Sequence, residues 1–180
     1  MKRAFIATAI LAVLATTASA DTLLVPKDFD TIQAAVDAAG DGDVIKVKKG
    51  TWTTPVHIQD KTNLTIIGAG GPSIVAGAAF VGFTVDECVG ITIKGFRFQS
   101  PQERGIVVTG SDDVTIEKCR IDGATKDGIA TSDCTLVTIT KCRIANCGVN
   151  GISLSAAQGE LEVPTEDSTV SKCRISMCDD

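Results

Sequence analysis

Four arginines in the sequence share one local frame and could bind anions. They are Arg97, Arg120, Arg143 and Arg174. The first three lie 23 residues apart, and Lys118 and Lys141 each lie two residues before one of them. Guanidinium groups form paired hydrogen bonds with carboxylates, so a regular series of them could hold a polyanion such as an acidic polysaccharide. The alternative is a solvated face balanced by Glu117, Asp122 and counterions.

The cysteines also repeat one spacing. The chain has seven of them: Cys88, Cys119, Cys134, Cys142, Cys147, Cys173 and Cys178. Four residues separate Cys142 from Cys147, and four separate Cys173 from Cys178. Such pairs could bind zinc, and thiolates also suit Cu(I). The alternative is a set of small, buried, polarizable side chains, in which the odd count leaves at least one thiol unpaired.

These residues belong to a longer internal repeat. Segments 91–98, 114–121 and 137–144 start 23 residues apart, and 168–175 follows after 31. A second series, 82–85, 105–108, 128–131 and 151–154, keeps the same period of 23. Each unit alternates apolar and polar residues between Gly, Asp, Asn and Ser, which is typical of short strands and turns. The units leave no room for helices, so the repeat predicts an all-β parallel β-helix of about six turns.

Stacking would convert each repeat position into a column of side chains. The predicted inward columns are Ile91/Val114/Val137, Ile93/Ile116/Ile139, Phe98/Ile121/Ile144/Ile175 and Phe96/Cys119/Cys142/Cys173. The four arginines form an outward column, and Thr92, Thr115, Thr138 and Thr169 form another. The sequence therefore predicts an arginine ladder along one face of the coil.

The same stacking restricts disulfide formation. Neighbouring strands lie about 4.8 Å apart, which is within the range of Cα separations that a disulfide spans. Cys142–Cys173 or Cys147–Cys178 could therefore bridge. Cys88 and Cys134 lie two turns apart with Ser111 between them, at about 9.6 Å, so we expect no bridge there.

An amphipathic segment precedes the repeats. Residues 28–40 have a helical pattern in which Asp30 or Thr31 can cap the start and Gly40 can end it. The apolar face consists of Ile32, Ala35, Val36 and Ala39. We expect this helix to close the open end of the coil in a domain that covers residues 21–180.

The opening of the domain resembles a known superfamily. Residues 28–39, 42–52 and 63–70 read DFDTIQAAVDAA, GDVIKVKKGTW and NLTIIGAG. They resemble the opening of right-handed β-helix, or pectin-lyase-like, proteins, among them pectinesterases, polysaccharide lyases and a periplasmic copper-loading protein. The resemblance covers residues 28–180. It implies a right-handed coil, and it is specific for the fold more than for chemistry.

The resemblance suggests two metal hypotheses. Acids gather at one turn of the repeat, at Asp86, Asp112, Asp113 and Asp133. Polyuronate lyases of this fold can use such acids to hold Ca²⁺, with a Lys or Arg as base. The alternative is turn chemistry, in which Asp satisfies backbone donors. The copper-loading relative suggests copper handling by the cysteine columns, although no Met or His cluster accompanies them.

Two hydrolytic families are disfavoured by missing motifs. The chain lacks the Phe-Gln-Asp segment of pectinesterases, and Gly110–Asp113 resembles the paired acids of polygalacturonases without their Gly-His-Gly and Arg-Ile-Lys. The single histidine, His57, argues against a Ser-His-Asp triad and a His-rich metal centre.

The first 20 residues predict export. Lys2 and Arg3 precede an apolar run that ends at Ala18-Ser19-Ala20, as in a cleavable signal peptide. The remaining chain has 15 basic and 22 acidic side chains, a net charge near −7, and no segment that would span a membrane. This charge argues against a general nucleic-acid binder. We expect a secreted or periplasmic protein.

Three functional hypotheses follow. The first is binding or processing of an acidic polysaccharide in the manner of pectate lyases, with no certain cofactor beyond a Ca²⁺ site. The second is a structural or adhesive module of a surface protein, and the third is periplasmic copper handling. The last turn ends near Asp180 without a cap, so we expect either a truncated chain or self-association through that turn.

Overall fold

The computed structural model describes residues 19–71, 73–74, 81–101, 103–155 and 168–178. Within these ranges the chain forms 18 strands and one helix. Every strand pairing is parallel, and the strands build three sheets. Each turn of the coil contributes one strand to each sheet, as the repeat predicts.

Sheet A has the largest number of strands among the described residues. Its strands, in order across the sheet, are β1 (Thr22–Val25), β2 (Val44–Lys48), β5 (Thr65–Ala69), β8 (Val89–Lys94), β11 (Asp112–Glu117), β14 (Thr138–Thr140) and β17 (Thr169–Ser171). The predicted threonine column lies on its outer side and extends back to Thr65. β1 was not predicted, because it lies before the first recognisable repeat.

Sheet B carries the arginine repeat. Its strands are β3 (Thr51–Trp52), β6 (Ser73–Ile74), β9 (Arg97–Gln99), β12 (Arg120–Asp122), β15 (Arg143–Ala145) and β18 (Arg174–Ser176). A tight corner connects each sheet A strand to the next sheet B strand. Gly95, Lys118, Lys141 and Lys172 occupy this corner with φ of 78°, 55°, 55° and 54°. This left-handed backbone places each arginine just beyond the corner.

Sheet C completes the coil. Its strands are β4 (Val56–Gln59), β7 (Phe83–Asp86), β10 (Ile106–Thr109), β13 (Ile129–Ser132) and β16 (Ile152–Ser155). Over the described residues the coil makes five complete three-strand turns, from β2–β4 to β14–β16, and β17 and β18 begin a sixth. The fold class is therefore the predicted one, with slightly fewer full turns.

The core lies inside the coil and follows the predicted columns. Ile93, Ile116 and Ile139 are fully buried, and so are the rings of Phe83 and Phe98, which meet edge to face at 5.3 Å between centroids. The last turn is different. Ile175 was predicted as core, but it is 47% exposed because no described strand stacks beyond β18.

Helix α1 (Ile32–Ala38) packs against β1, β2 and β4. Thr31 caps it by accepting a hydrogen bond from the Ala34 amide at 3.1 Å. Ile32, Ala35, Val36 and Ala39 are buried, as the amphipathic pattern predicts. The helix is shorter than segment 28–40, and it ends before Gly40 because Ala39 already has extended backbone.

The predicted signal peptide lies outside the described residues except for Ser19 and Ala20. Over the part of the chain that the structure covers, no helix has the length and apolar character needed to cross a membrane.

Candidate functional site

Strand register aligns the four arginines into one column. Arg120 pairs directly with Arg97 on one side and with Arg143 on the other, and Arg143 pairs with Arg174. The next residue of each strand, from Phe98 to Ile144, points into the core. Side chains alternate along a strand, so the arginines point outward. This confirms the predicted alignment, and the column is called the arginine ladder below.

Most of the arginine ladder lacks a protein partner. Arg120 Nη2 lies 3.5 Å from Asp122 Oδ2, and this pair is partly exposed. Arg97, Arg143 and Arg174 are exposed, and the side chain of none of them forms a hydrogen bond or ion pair with a described residue. Like charges one strand apart repel, so an anion bound between them would relieve that repulsion.

A glutamate partly neutralises the lysines beside the ladder. Glu117 lies 2.8 Å from Lys94 Nζ, 3.0 Å from Lys141 Nζ and 3.6 Å from Lys118 Nζ. Hydrogen bonds from Lys94 and Lys141 lower the pKa of Glu117 to about 2. Lys118 and Lys141, predicted to bind a ligand, are therefore engaged within the protein. Glu117 and Asp122, the acids of the solvated-face alternative, do form ion pairs, but they leave three arginines unpaired.

A positive surface results at the corner between sheets A and B. It is called the basic band below and consists of the arginine ladder with Lys94, Lys118, Lys141 and Lys172. The chain as a whole carries a net charge of −5. The band is thus a local reversal of sign that can attract an anionic chain.

The four predicted metal-binding acids do not converge. In the register, Asp86 pairs with Thr109, whereas Asp112 pairs with Val89, so these acids occupy different columns. Asp112 accepts hydrogen bonds from the Thr135 hydroxyl and from the Asp113 amide. Asp113 and Asp133 have φ of 52° and 56°, which is a turn conformation that aspartate tolerates. Their geometry is that of the turn-chemistry alternative.

The cysteine columns are also unsuited to one metal ion. Across the ranges that the structure covers, no group of three or more His, Cys, Asp or Glu side chains could hold a metal. Cys119, Cys142 and Cys173 lie on three successive turns, so the outer two are about 9.6 Å apart. The calcium and copper hypotheses thus gain no site among these residues.

The structure also contains a cleft that was not predicted from the sequence. It has a volume of about 360 Å³ and lies on the outer side of sheet C. Its lining includes the hydroxyl residues Thr109, Ser132, Ser153 and Ser155. Three of them, Thr109, Ser132 and Ser155, pair in register at the 23-residue period, so the signal was present in the sequence. Such a lining could hydrogen-bond a sugar.

One ion pair lies at an end of the cleft. Arg104 Nε donates to Asp127 Oδ2 at 2.8 Å, and the Asn150 side-chain amide donates to Asp127 Oδ1 at 3.0 Å. Burial raises the pKa of Asp127, but the hydrogen bonds from Arg104 and Asn150 outweigh it, so the pKa is lower than that of an ordinary aspartate. Asp127 is thus ionised at neutral pH and is a poor general acid.

A comparison of sequences identifies the family. The model of the right-handed β-helix region matches residues 43–179, which is most of the chain. The chain belongs to the right-handed β-helix family. No curated protein matches it.

Solved structures share the fold at low identity. The catalytic domain of a family 87 α-1,3-glucanase, determined with nigerose, is 14% identical with a TM-score of 0.53, over 90% of this chain and 36% of that chain. A Parabacteroides merdae protein described as a glycosyl hydrolase is 16% identical with a TM-score of 0.49, over 82% and 85% of the two chains. A rhamnogalacturonan lyase is 11% identical with a TM-score of 0.43, over 88% and 68%. At these identities the likeness shows the fold alone.

Proposed function

We propose that this β-helix protein is exported and binds an acidic polysaccharide along the basic band. The observation that carries the proposal is the arginine ladder, in which the side chains of Arg97, Arg143 and Arg174 have no hydrogen-bond or ion-pair partner among the described residues. An acidic polysaccharide carries carboxylates at regular intervals. Guanidinium forks bind such carboxylates through two parallel hydrogen bonds.

The geometry of the coil suits an extended ligand. Each turn advances the coil by about 4.8 Å, so the arginines form a straight series parallel to the coil axis. A polymer lying along this axis would meet one guanidinium per turn. Lys172 and the Glu117-bound lysines border the same path and add to its positive potential.

Binding is better supported than cleavage. Acid–base catalysis is most efficient with a group whose pKa lies near the working pH. In the sheet C cleft the titratable lining residues are Arg104 and Asp127, and they are bound to each other. The α-1,3-glucanase domain of the same fold acts on a polysaccharide. This agrees with a saccharide ligand for the present protein but does not indicate which saccharide it is.

The first test is a pair of substitutions in the ladder. Arg97→Gln with Arg143→Gln removes two unpaired, exposed guanidiniums and keeps most of each side-chain stem. Exposed charge pairs contribute up to about 1 kcal/mol each, so we expect about tenfold weaker binding of polygalacturonate. Isothermal titration at low and high salt measures this, and the wild-type affinity should fall as salt rises.

Two control variants refine the test. Lys27→Gln with Lys126→Gln makes the same change of net charge away from the band, and it should leave the affinity nearly unchanged. Glu117→Gln frees three ammonium groups and should tighten binding. Equal affinities for all variants, or equal binding of a neutral glucan, would contradict the proposal. An absorbance rise from unsaturated products would show lyase activity in addition to binding.

A further inference from the structure

Two pairs of cysteines lie opposite each other on the same two turns of the coil. Cys142 and Cys173 lie in one inward column, and Arg174 N donates to Cys142 O at 2.9 Å, which fixes these residues as stacked neighbours. Cys147 and Cys178 lie five residues further along the same two turns, where Asn146 N donates to Ser176 O at 3.1 Å. The thiols of Cys142 and Cys173 occupy equivalent positions, since Cys142 Sγ donates to Ile116 O and Cys173 Sγ donates to Ile139 O, each one turn back, at 3.6 Å. All seven cysteines are reduced in the structure.

We propose that the last turn is fastened to the coil by two disulfides, Cys142–Cys173 and Cys147–Cys178. Adjacent strands lie about 4.8 Å apart, which is within the Cα range of 4.4–6.8 Å that disulfides span. Both bridges join residues 31 apart in sequence, across the longest interval of the repeat. They would act in the last turn that the structure describes, where Val170 and Ile175 are 43% and 47% exposed.

Cys142 has a second neighbour, Cys119, on the turn before. The neighbouring Cys119 thiol is the main cause that lowers the pKa of Cys142. Cys119 is 2% exposed in the regular interior, where dense packing opposes the rotation that a disulfide requires. Cys173 is only partly buried and lies in the last turn, so a disulfide reagent can reach it. We therefore expect Cys142 to form its disulfide with Cys173 and not with Cys119, because Cys173 is accessible to the reagent and is free to adjust its position.

The chemistry is thiol–disulfide exchange with the disulfide of a small thiol such as oxidised glutathione. The Cys173 thiolate attacks one glutathione sulfur, which forms a mixed disulfide and releases one glutathione. The Cys142 thiolate then attacks the Cys173 sulfur and releases the second glutathione. Two protein thiols become one disulfide while one glutathione disulfide is reduced to two thiols. The same sequence starting at Cys178 and ending at Cys147 makes the other bridge.

The remaining three cysteines should stay reduced. Ser111 is buried between Cys88 and Cys134, and its hydroxyl accepts a hydrogen bond from the Cys88 amide at 3.0 Å. Cys88 and Cys134 are thus two turns apart, as the sequence predicts. Cys119 cannot form a disulfide with Cys142 once Cys142 is bonded to Cys173.

The test is disulfide mapping of the protein after equilibration in a glutathione buffer rich in the disulfide form. Free thiols are alkylated, and peptides are analysed by mass spectrometry without reduction. We expect the two stated bridges within one chain and alkylation of Cys88, Cys119 and Cys134. Alkylation of all seven cysteines, a Cys119–Cys142 bridge, or bridges between chains would overturn the proposal.

Serine variants keep the test decisive. Cys173→Ser should lose the first bridge and retain Cys147–Cys178, and Cys178→Ser should do the reverse. Cys119→Ser and Cys134→Ser are matched controls that should retain both bridges. Loss of a bridge in Cys119→Ser would instead assign Cys142 to Cys119. Reduction of the disulfides should lower the thermal midpoint of the wild type and of these two controls. The Cys173→Ser/Cys178→Ser double variant has neither bridge, so reduction should lower its midpoint less.

Discussion

Single side chains determine how much positive charge the basic band presents. Glu117 binds Lys94, Lys118 and Lys141 at distances from 2.8 to 3.6 Å, so one carboxylate restrains three ammonium groups. Arg97 and Arg143 have no such partner within the described ranges. The lysines therefore shape the edge of the band, while the arginines supply its free hydrogen-bond donors.

The Glu117 cluster predicts a pH dependence of stability. The pKa of Glu117 is lowered from 4.5 to about 2 by Lys94 and Lys141. A lowered pKa in the folded state contributes stability above the unfolded value of 4.5, and this contribution is lost as pH falls towards about 2. The wild type should therefore exceed Glu117→Gln in thermal midpoint near neutral pH, and the difference should shrink across that window.

The matched control is Glu87→Gln. Glu87 is exposed and forms no ion pair with any described residue. Its substitution should change the midpoint little and without this pH profile. Thermal scans of the three proteins from pH 7 to pH 2 test this prediction. A difference between wild type and Glu117→Gln that does not change with pH would show that the ionised Glu117 carboxylate contributes no stability through its ion pairs.

At the scale of the strand, a glycine column allows sheet C to begin where it does. The column consists of Gly82, Gly105, Gly128 and Gly151, the start of the second repeat series. A Cβ added at Gly128 would lie 2.5 Å from Ile144 Cγ2 and 2.6 Å from Gly151 O. The second contact is with backbone, so it cannot be relieved by a side-chain rotation.

Gly128→Ala should therefore destabilise the coil. Overpacking typically costs about 1–3 kcal/mol, and the contact with Gly151 O places this variant at the upper end of that range. Gly40→Ala is the control, because its added Cβ would meet only Asp43 Oδ2, at 3.8 Å. Urea unfolding compares the two. Equal stability of both variants would mean that the strand can shift to accept a methyl group.

The proposed disulfides predict a second stability difference at the same scale. Each bridge would close a loop of about 31 residues in the unfolded chain. The loop-entropy model gives about 3–4 kcal/mol for such a loop. Oxidised protein should thus unfold at higher urea than reduced protein, and the Cys173→Ser/Cys178→Ser double variant should show no such difference.

At the scale of the whole molecule, periodicity made the fold predictable. The 23-residue interval aligned Arg97, Arg120 and Arg143 correctly, because stacked equivalents must pair in register. Strand β1 and the Arg104–Asp127 pair were missed. β1 has no repeat equivalent. Arg104 and Asp127 are 23 residues apart, each directly before a glycine of the second repeat series, so the period already implied that they stack, and their ion pair at 2.8 Å could have been predicted. The exposure of Ile175 depends on what stacks next, which the repeat does not encode.

Self-association through the last turn stays a prediction at this scale. Val170, Ile175 and Met177 are exposed there by 43%, 47% and 77%. Analytical ultracentrifugation over a range of protein concentrations tests it. Association that disappears in Ile175→Ser would support an interface at this end, whereas a monomer at all concentrations would contradict it.

Binding along the basic band can be seen directly in a structure of the protein with a bound oligogalacturonate. We expect an extended oligosaccharide parallel to the coil axis, with its carboxylates hydrogen-bonded to Arg97 and Arg143 on the outer side of sheet B. An oligosaccharide bound instead in the sheet C cleft, beside Arg104 and Asp127, would contradict the assignment of the basic band. Absence of the ligand at millimolar concentration would contradict polysaccharide binding itself.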